Sequence, residues 1–245
     1  MAFRSQKAIG CVMFILLCSL AGHAQSRWTA EVRHDHWRGE CKGVLSMTEQ
    51  GLSFTEVQPK KKAADLHQWT WPDDEIQELI VAPGEVTLFT YVDSSWTKLG
   101  VDRGYRFSVP ASRAEELSTM LRERLQPRLI VRFAEPVDPL LWEVPVKRIG
   151  AIKGSQGRLL VGDNRIVFES AENGSSRTWS YDDIENVSTT GPFQLTIATY
   201  ERDRSQYGSI HAFTFQLKRP VDERRYDDLW LAVNQRKGLK TLQSP

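Results

Sequence analysis

The sequence predicts a mainly β protein built from two copies of one unit, each a set of about six or seven short antiparallel strands closed by a C-terminal helix. Three observations lead there. The first is internal repetition: Trp28, Val32, Arg33, Gly43, Leu45, Leu52 and Phe54 fall on Trp142, Val146, Lys147, Gly157, Leu159, Ile166 and Phe168, each 114 positions later. The offset then shrinks, with Trp69-Thr70-Trp71 matching Trp179-Ser180-Tyr181 at 110, Thr90-Tyr91 matching Thr199-Tyr200 at 109, and Phe107 matching Phe215 at 108. Such drift is what duplication leaves, because loops tolerate deletions and strands do not. The second observation is the alternation of apolar and polar residues along short runs, which is the period of a half-buried strand. The third is a change to helical period at the end of each copy.

Taken in order, the first 24 residues read as a signal peptide. Arg4 and Lys7 start it, an apolar run from Ala8 to Leu20 follows, and Gly22-His23-Ala24 suits cleavage. The run is shorter than the roughly 18 residues a bilayer span needs, so export without a membrane anchor is expected. No later stretch is apolar enough to cross a membrane. Without Arg4 and Lys7 the chain keeps 30 basic residues against 31 acidic ones, from 32 and 31 in the full chain. A near-neutral chain has no field to draw nucleic acid, so that partner class is excluded. Cys11 and Cys18 leave with the signal and Cys41 remains alone, so each unit must be stabilised by core burial and not by disulfides.

The first copy opens with Trp28, Ala30 and Val32 alternating against polar neighbours. Lys42 to Thr48 and Leu52 to Glu56 alternate on either side of Glu49-Gln50-Gly51, which predicts a hairpin. After a loop containing Pro59 and Lys60 to Lys62, His67, Trp69 and Trp71 share one face of a strand. Ile76 to Val81, Val86 to Tyr91 and Tyr105 to Val109 supply three more strands. Ser112 and Glu115 have capping-box spacing, and Leu117, Met120, Leu121 and Leu125 recur at helical intervals up to Pro127. In the second copy Asp222 caps a helix whose stripe is Tyr226, Leu229, Trp230 and Val233. The predicted units are residues 26–127 and 142–239, joined by 128–141, with 240–245 a tail; Leu129 to Phe133 is a candidate extra strand.

With that order the chain resembles the pleckstrin-homology-like superfold, and more closely its exported bacterial tandem members. The residues that carry the likeness are the Gly-x-Leu hairpins (Gly43 to Phe54, Gly157 to Phe168), the Trp-x-aromatic strands leading into Asp-Asp and Ile (Trp69 to Ile76, Trp179 to Ile184), the Thr-Tyr strands and the final helices. The resemblance implies two barrels of near-orthogonal sheets, each plugged by its helix. It speaks to fold more than to role. A lipocalin-like barrel would need eight strands before its helix and no duplication.

Candidate sites are few. On a strand His34 and His36 point the same way, a two-ligand metal geometry to which Cys41 can add a soft third ligand. The second copy has Arg148-Ile149-Gly150 there, so the fold itself does not require the histidines. A Cys41 nucleophile activated by either histidine lacks an orienting third group and a recognisable oxyanion turn, so no enzyme is expected. Lys60, Lys61 and Lys62 resemble the basic loop with which members of the superfold grip inositides, but the first hairpin turn here is short and acidic. Export would also separate the chain from those lipids. Trp37 and Trp96 have no counterpart in the second copy and are the better candidates for an exposed contact. The expected role is therefore an exported, non-enzymatic binding module without a cofactor, meeting a protein or cell-envelope partner through loops or a strand edge. The alternative is a carrier or sensor of a small envelope ligand such as a lipid, glycan or metal.

Overall fold

The computed structural model describes residues 27–36, 39–57, 66–94, 101–150, 153–172, 174–203 and 209–240. Its first half runs β1 (Trp28–His36), β2 (Gly39–Met47), β3 (Gly51–Glu56), β4 (Gln68–Pro72), β5 (Ile76–Ala82), β6 (Glu85–Asp93), β7 (Asp102–Ser108) and α1 (Ala111–Leu125). A short strand β8 (Leu129–Val131) follows. The second half runs β9 (Leu140–Arg148), β10 (Ser155–Gly162), β11 (Arg165–Ser170), β12 (Arg177–Ser180), β13 (Ile184–Thr189), β14 (Gln194–Arg202), β15 (Ile210–Leu217) and α2 (Glu223–Arg236). The mainly β expectation is met, and both halves follow one strand order, β4-β3-β2-β1-β7-β6-β5 and β12-β11-β10-β9-β15-β14-β13.

Closure is where the structure departs from the sequence reading. All fifteen strands form one continuous ladder, and among the described residues none joins β4 to β5 or β12 to β13. The sheet is therefore not closed into barrels. The reason lies in β8: it pairs in parallel with β5 (Leu79↔Leu129 to Val81↔Val131) and antiparallel with β12 (Thr178↔Val131). It occupies the outer edges of β5 and β12, and β4 and β13 are left as the two ends of the sheet. The candidate extra strand in the connection is thus the joint between the halves.

The buried apolar side chains fall into two clusters, one per half. Leu45, Phe54, Trp71, Leu79, Phe107, Leu117 and Leu121 lie in the first; Val146, Leu159, Phe168, Trp179, Ile197, Phe215 and Val233 lie in the second. The α1 helix packs on β5, β6 and β8, and α2 packs on β13 and a 3-10 turn at Tyr181–Asp183. Asp222 caps α2 as expected, its side chain accepting from the Arg225 N–H. Helix α1 starts differently. Pro110 occupies its N-cap and no side chain caps it, so Ser112 and Glu115 lie inside the helix and form no capping box. Proline's fixed φ sets the chain direction there instead.

A second correction concerns the tryptophans. Leu52 pairs with Trp71 and Ile166 with Trp179, while Phe54 pairs with Trp69 and Phe168 with Arg177. Trp71, not Trp69, therefore occupies the strand position that Trp179 holds in the second half, an offset of 108 on this strand. Burial agrees: Trp71 and Trp179 are buried, whereas Trp69 is only half-buried at the margin of the first cluster. Trp28 is core as expected, and Trp142 only packs against the core from its edge.

Candidate metal centre

Strand register assembles the site from three separate stretches. His34 on β1 stands directly across from Cys41 on β2, so the two side chains share a face. His36, two residues along the same strand, shares that face by the period of the pleat. His67 arrives from the far side, immediately before β4, held beside the end of β3 by two bonds. The Glu56 N–H donates to the His67 carbonyl at 2.8 Å, and the His67 N–H donates to Glu56 Oε2 at 2.9 Å.

One donor atom from each of His34, His36, Cys41 and His67 lies within 4.8 Å of all the others. His34 Nδ1 is 3.4 Å from His36 Nε2, and Cys41 Sγ is 3.9 Å from His34 Nδ1 and 3.7 Å from His67 Nδ1. A tetrahedral ion with nitrogen ligands near 2.0–2.1 Å and sulfur near 2.3 Å sets its donors roughly 3.3–3.6 Å apart. Three of the spacings, at 3.4–3.9 Å, lie at or a few tenths of an ångström above those edges, and no pair exceeds 4.8 Å. His34 and Cys41 are buried, while His36 and His67 are half-buried and give the site an approach from the rim.

The surroundings hold the rings in place. Trp69 stacks on His67 with centroids 5.0 Å apart and presents its edge to His34 at 4.9 Å. Phe107 and Phe54 close on His34 at 5.2 and 5.7 Å. Burial, reinforced by the neighbouring His36 and His67, pushes the His34 pKa down from 6.5 to about 4. Its imidazole is therefore neutral at ordinary pH, with a lone pair to donate. Behind His67 lies Glu56, a fully buried carboxyl whose Oε2 is also 3.2 Å from the His67 Nδ1.

The second half builds something else at the same place. Arg148 pairs with Ser155 where His34 pairs with Cys41, and Arg177 stands where Trp69 does. Arg177 lies 3.7 Å from Glu201 and 5.4 Å from the Phe213 ring centre, with burial pushing its pKa down to about 10. An ion pair thus occupies the rim that carries the histidine and cysteine cluster in the first half. The strand framework accepts either set, so the histidines and the thiol answer no demand of the fold.

Of the residues singled out in the sequence, the structure brings His34 and His36 together with Cys41. Trp37, Lys60, Lys61, Lys62 and Trp96 lie outside the described residues. His67 and Glu56 escaped sequence reasoning. The usable signal for His67 was its place on the same face as Trp69, next to a hairpin whose other strand ends in Glu56.

No family model matches the chain, and no curated protein does. Two solved structures show weak likeness. The C-terminal domain of an unknown protein from Leishmania infantum is 15% identical at a TM-score of 0.30, covering 39% of this chain and 84% of that one. The Spt16D–Pob3N heterodimer is 11% identical at 0.31, covering 78% of this chain and 96% of that one. Neither likeness is close enough to carry an argument about fold or role. Among the described residues, no helix is long and apolar enough to cross a membrane.

Proposed function

We propose that this chain is an exported protein of two pleckstrin-homology-like units whose first unit holds a transition-metal ion on His34, His36, Cys41 and His67. The single observation that carries the reading is the convergence of four donors from three separate stretches to within 4.8 Å of one another, three of the pairs at 3.4–3.9 Å. The common strand order of the two halves, each ended by its own helix, supports the pleckstrin-homology-like assignment. Export rests on the basic and apolar character of residues 1–24. Four protein donors fill a tetrahedral shell and leave no position for a reacting water, so the site is one for holding an ion and not for hydrolysis.

The test is metal analysis of the purified full-length chain after dialysis against zinc. One equivalent per chain is expected, with His34→Ala and Cys41→Ser each losing most of it. A wild-type protein that retains no metal, or variants that retain as much as wild type, would refute the reading.

A second reading, a module for a protein or envelope partner, is favoured by the outer edge of β4, which pairs with no further strand among the described residues. A cleft of about 440 Å³ opens on that edge, lined among others by Trp69, Trp71, Tyr91 and Tyr105. A photo-crosslinker placed at exposed Gln68 in the producing cell tests it, and the absence of any adduct counts against it.

A further inference from the structure

A cleft of about 410 Å³ opens where the two halves meet, lined among others by Gln77, Glu78, Tyr91, Arg128, Tyr200 and Arg202. Tyr91 follows the buried Thr90 on β6 and Tyr200 follows the buried Thr199 on β14, so each ring leaves the outer face of its own strand. They are 60% and 41% exposed, and one ring comes from each half. Lys237 lies over a face of the Tyr200 ring at 5.8 Å, and an ion pair from Arg202 to Asp102 at 2.9 Å ties the halves beside the cleft. Gln77 enters because β5 is bulged: Ile76 pairs with Thr90 and Glu78 with Phe89, which leaves Gln77 as the extra residue. Such a bulge bends its strand and re-aims a side chain. The Gln77 Oε1 is buried with no hydrogen-bond partner among the described residues. A buried acceptor is seldom left so, and this residue lines a cleft from which a ligand can donate to it.

We propose that this cleft binds a neutral sugar ring, held between Tyr91 and Tyr200 with one of its hydroxyl groups donating to Gln77 Oε1. Clefts of this size between two packed units are common places for small ligands. The chemistry of the lining narrows the class. The tyrosine rings offer apolar faces to the C–H groups of a pyranose, while their hydroxyls, Gln77 and the guanidinium N–H groups address the hydroxyls around its edge. Both arginines are already met within the chain: Arg128 Nη1 donates to the carbonyls of Asp73 and Ile76 at 2.6 and 2.7 Å, and Arg202 holds Asp102. An anion would therefore find no unmatched cation to answer. A lipid chain would press hydrocarbon against Gln77, Arg128 and Arg202, which polar groups resist. A sugar hydroxyl both donates and accepts, so it satisfies Gln77 Oε1 and still accepts from a neighbouring N–H. None of these residues belongs to the histidine and cysteine cluster, so the proposal stands apart from the metal-holding reading.

The experiment uses the purified full-length chain. N-acetylglucosamine and glucose are titrated in turn and followed by saturation-transfer NMR, with inorganic phosphate and decanoate as probes of the two competing classes. Saturable, millimolar binding of at least one sugar is expected, with the strongest transfer to its ring C–H protons. Tyr91→Ala and Tyr200→Ala should each weaken it about 10-fold, and Gln77→Leu about 5-fold. Trp230→Ala, which truncates an exposed aromatic on α2 outside the cleft, should leave it unchanged. Both tyrosines are exposed enough to be truncated without loss of the core, and circular dichroism checks that each variant is folded. No saturable binding of either sugar by the wild type would overturn the proposal. So would sugar binding that Tyr91→Ala, Tyr200→Ala and Gln77→Leu all keep, or that Trp230→Ala abolishes as well. Binding of phosphate or decanoate in place of sugar, lost in the same three variants, would overturn the class of ligand and with it the proposal.

Discussion

The register of β4 places Trp71 in the core and Trp69 over the His34, His36, Cys41 and His67 cluster, and truncating each tryptophan separates these roles. Trp71 is 4% exposed and packs against Tyr105 with ring centres 4.8 Å apart and against Phe107 at 6.1 Å. A buried tryptophan removes about 250 Å² from water, which at about 25 cal/mol per Å² amounts to roughly 6 kcal/mol before relaxation. Measured core truncations of this size cost about 3–5 kcal/mol, and Trp71→Ala should fall in that range. Trp69 is half-buried, stacking on Phe54 at 5.4 Å and on His67 and packing on His34 and Tyr105, so it removes less area from water and Trp69→Ala should cost less, by roughly the share of the ring left exposed. It should, however, loosen the rings of His34 and His67 and weaken zinc binding, which Trp71→Ala should do less. Urea unfolding of both variants, with and without zinc, reads the two effects together. If Trp69→Ala proves the more destabilising of the pair, β4 is shifted by two residues from the register described and the reasoning fails.

Other expectations follow from particular contacts. A Cβ at Gly157 would lie 2.2 Å from the Glu169 carbonyl oxygen, a backbone atom that cannot swing away, so Gly157→Ala should lower the melting temperature by several degrees and leave zinc binding intact. Without metal, His34 resists protonation when folded (about 4, against 6.5 for the ordinary side chain), so stability should be undiminished above pH 6.5 and fall as pH drops toward 4. The loss is at most about 3 kcal/mol, and urea titrations of the metal-free protein should show it disappear in His34→Leu. Glu135 accepts from Arg122 on α1 at 2.6 Å and from Arg165 on β11 at 3.0 Å with little exposure, so Glu135→Leu should cost about 2–4 kcal/mol by stranding two guanidinium groups. A scanning calorimetry trace that splits into two transitions in that variant would show it to be a tie between the halves.

Much of this architecture was legible in the chain, because strands announce themselves by alternation and helices by period. The hairpin around Gly51, the α2 cap at Asp222 and the stop at Pro127 all rest on local chemistry. What was not legible is what depends on register between distant strands. A slip of two residues leaves every side chain on its proper face, so the Trp-x-Trp and Trp-x-Tyr motifs invite alignment at 110, and only the ladder shows that the strands correspond at 108. His67 was hidden for the same reason. It stands 31 positions beyond His36, and only the pairing of β3 with β4 carries it back to the cluster. The His34 and Cys41 pairing needs the β1–β2 register, which places His36 opposite Gly39 and hence His34 opposite Cys41. Sheet closure could not be read at all: Leu129 to Phe133 stands out as a candidate strand, but nothing in so short a run tells that it pairs with β5 on one side and β12 on the other.

That three-residue strand also gives the second half a purpose that owes nothing to ligands. Without β8 the outer edge of β5 would be an open row of amide and carbonyl groups beside Leu79, Ile80 and Val81, the kind of flat apolar margin on which chains stack into aggregates. Strand β8 covers that margin with Leu129, Ile130 and Val131 and would itself be a new one, were β12 not laid against it at Thr178. The second half thus serves as a permanent hem on the half that carries the cluster. A chain shortened to residues 26–127 would retain every side chain of the cluster and lose this protection, becoming sticky in solution while the cluster stayed whole.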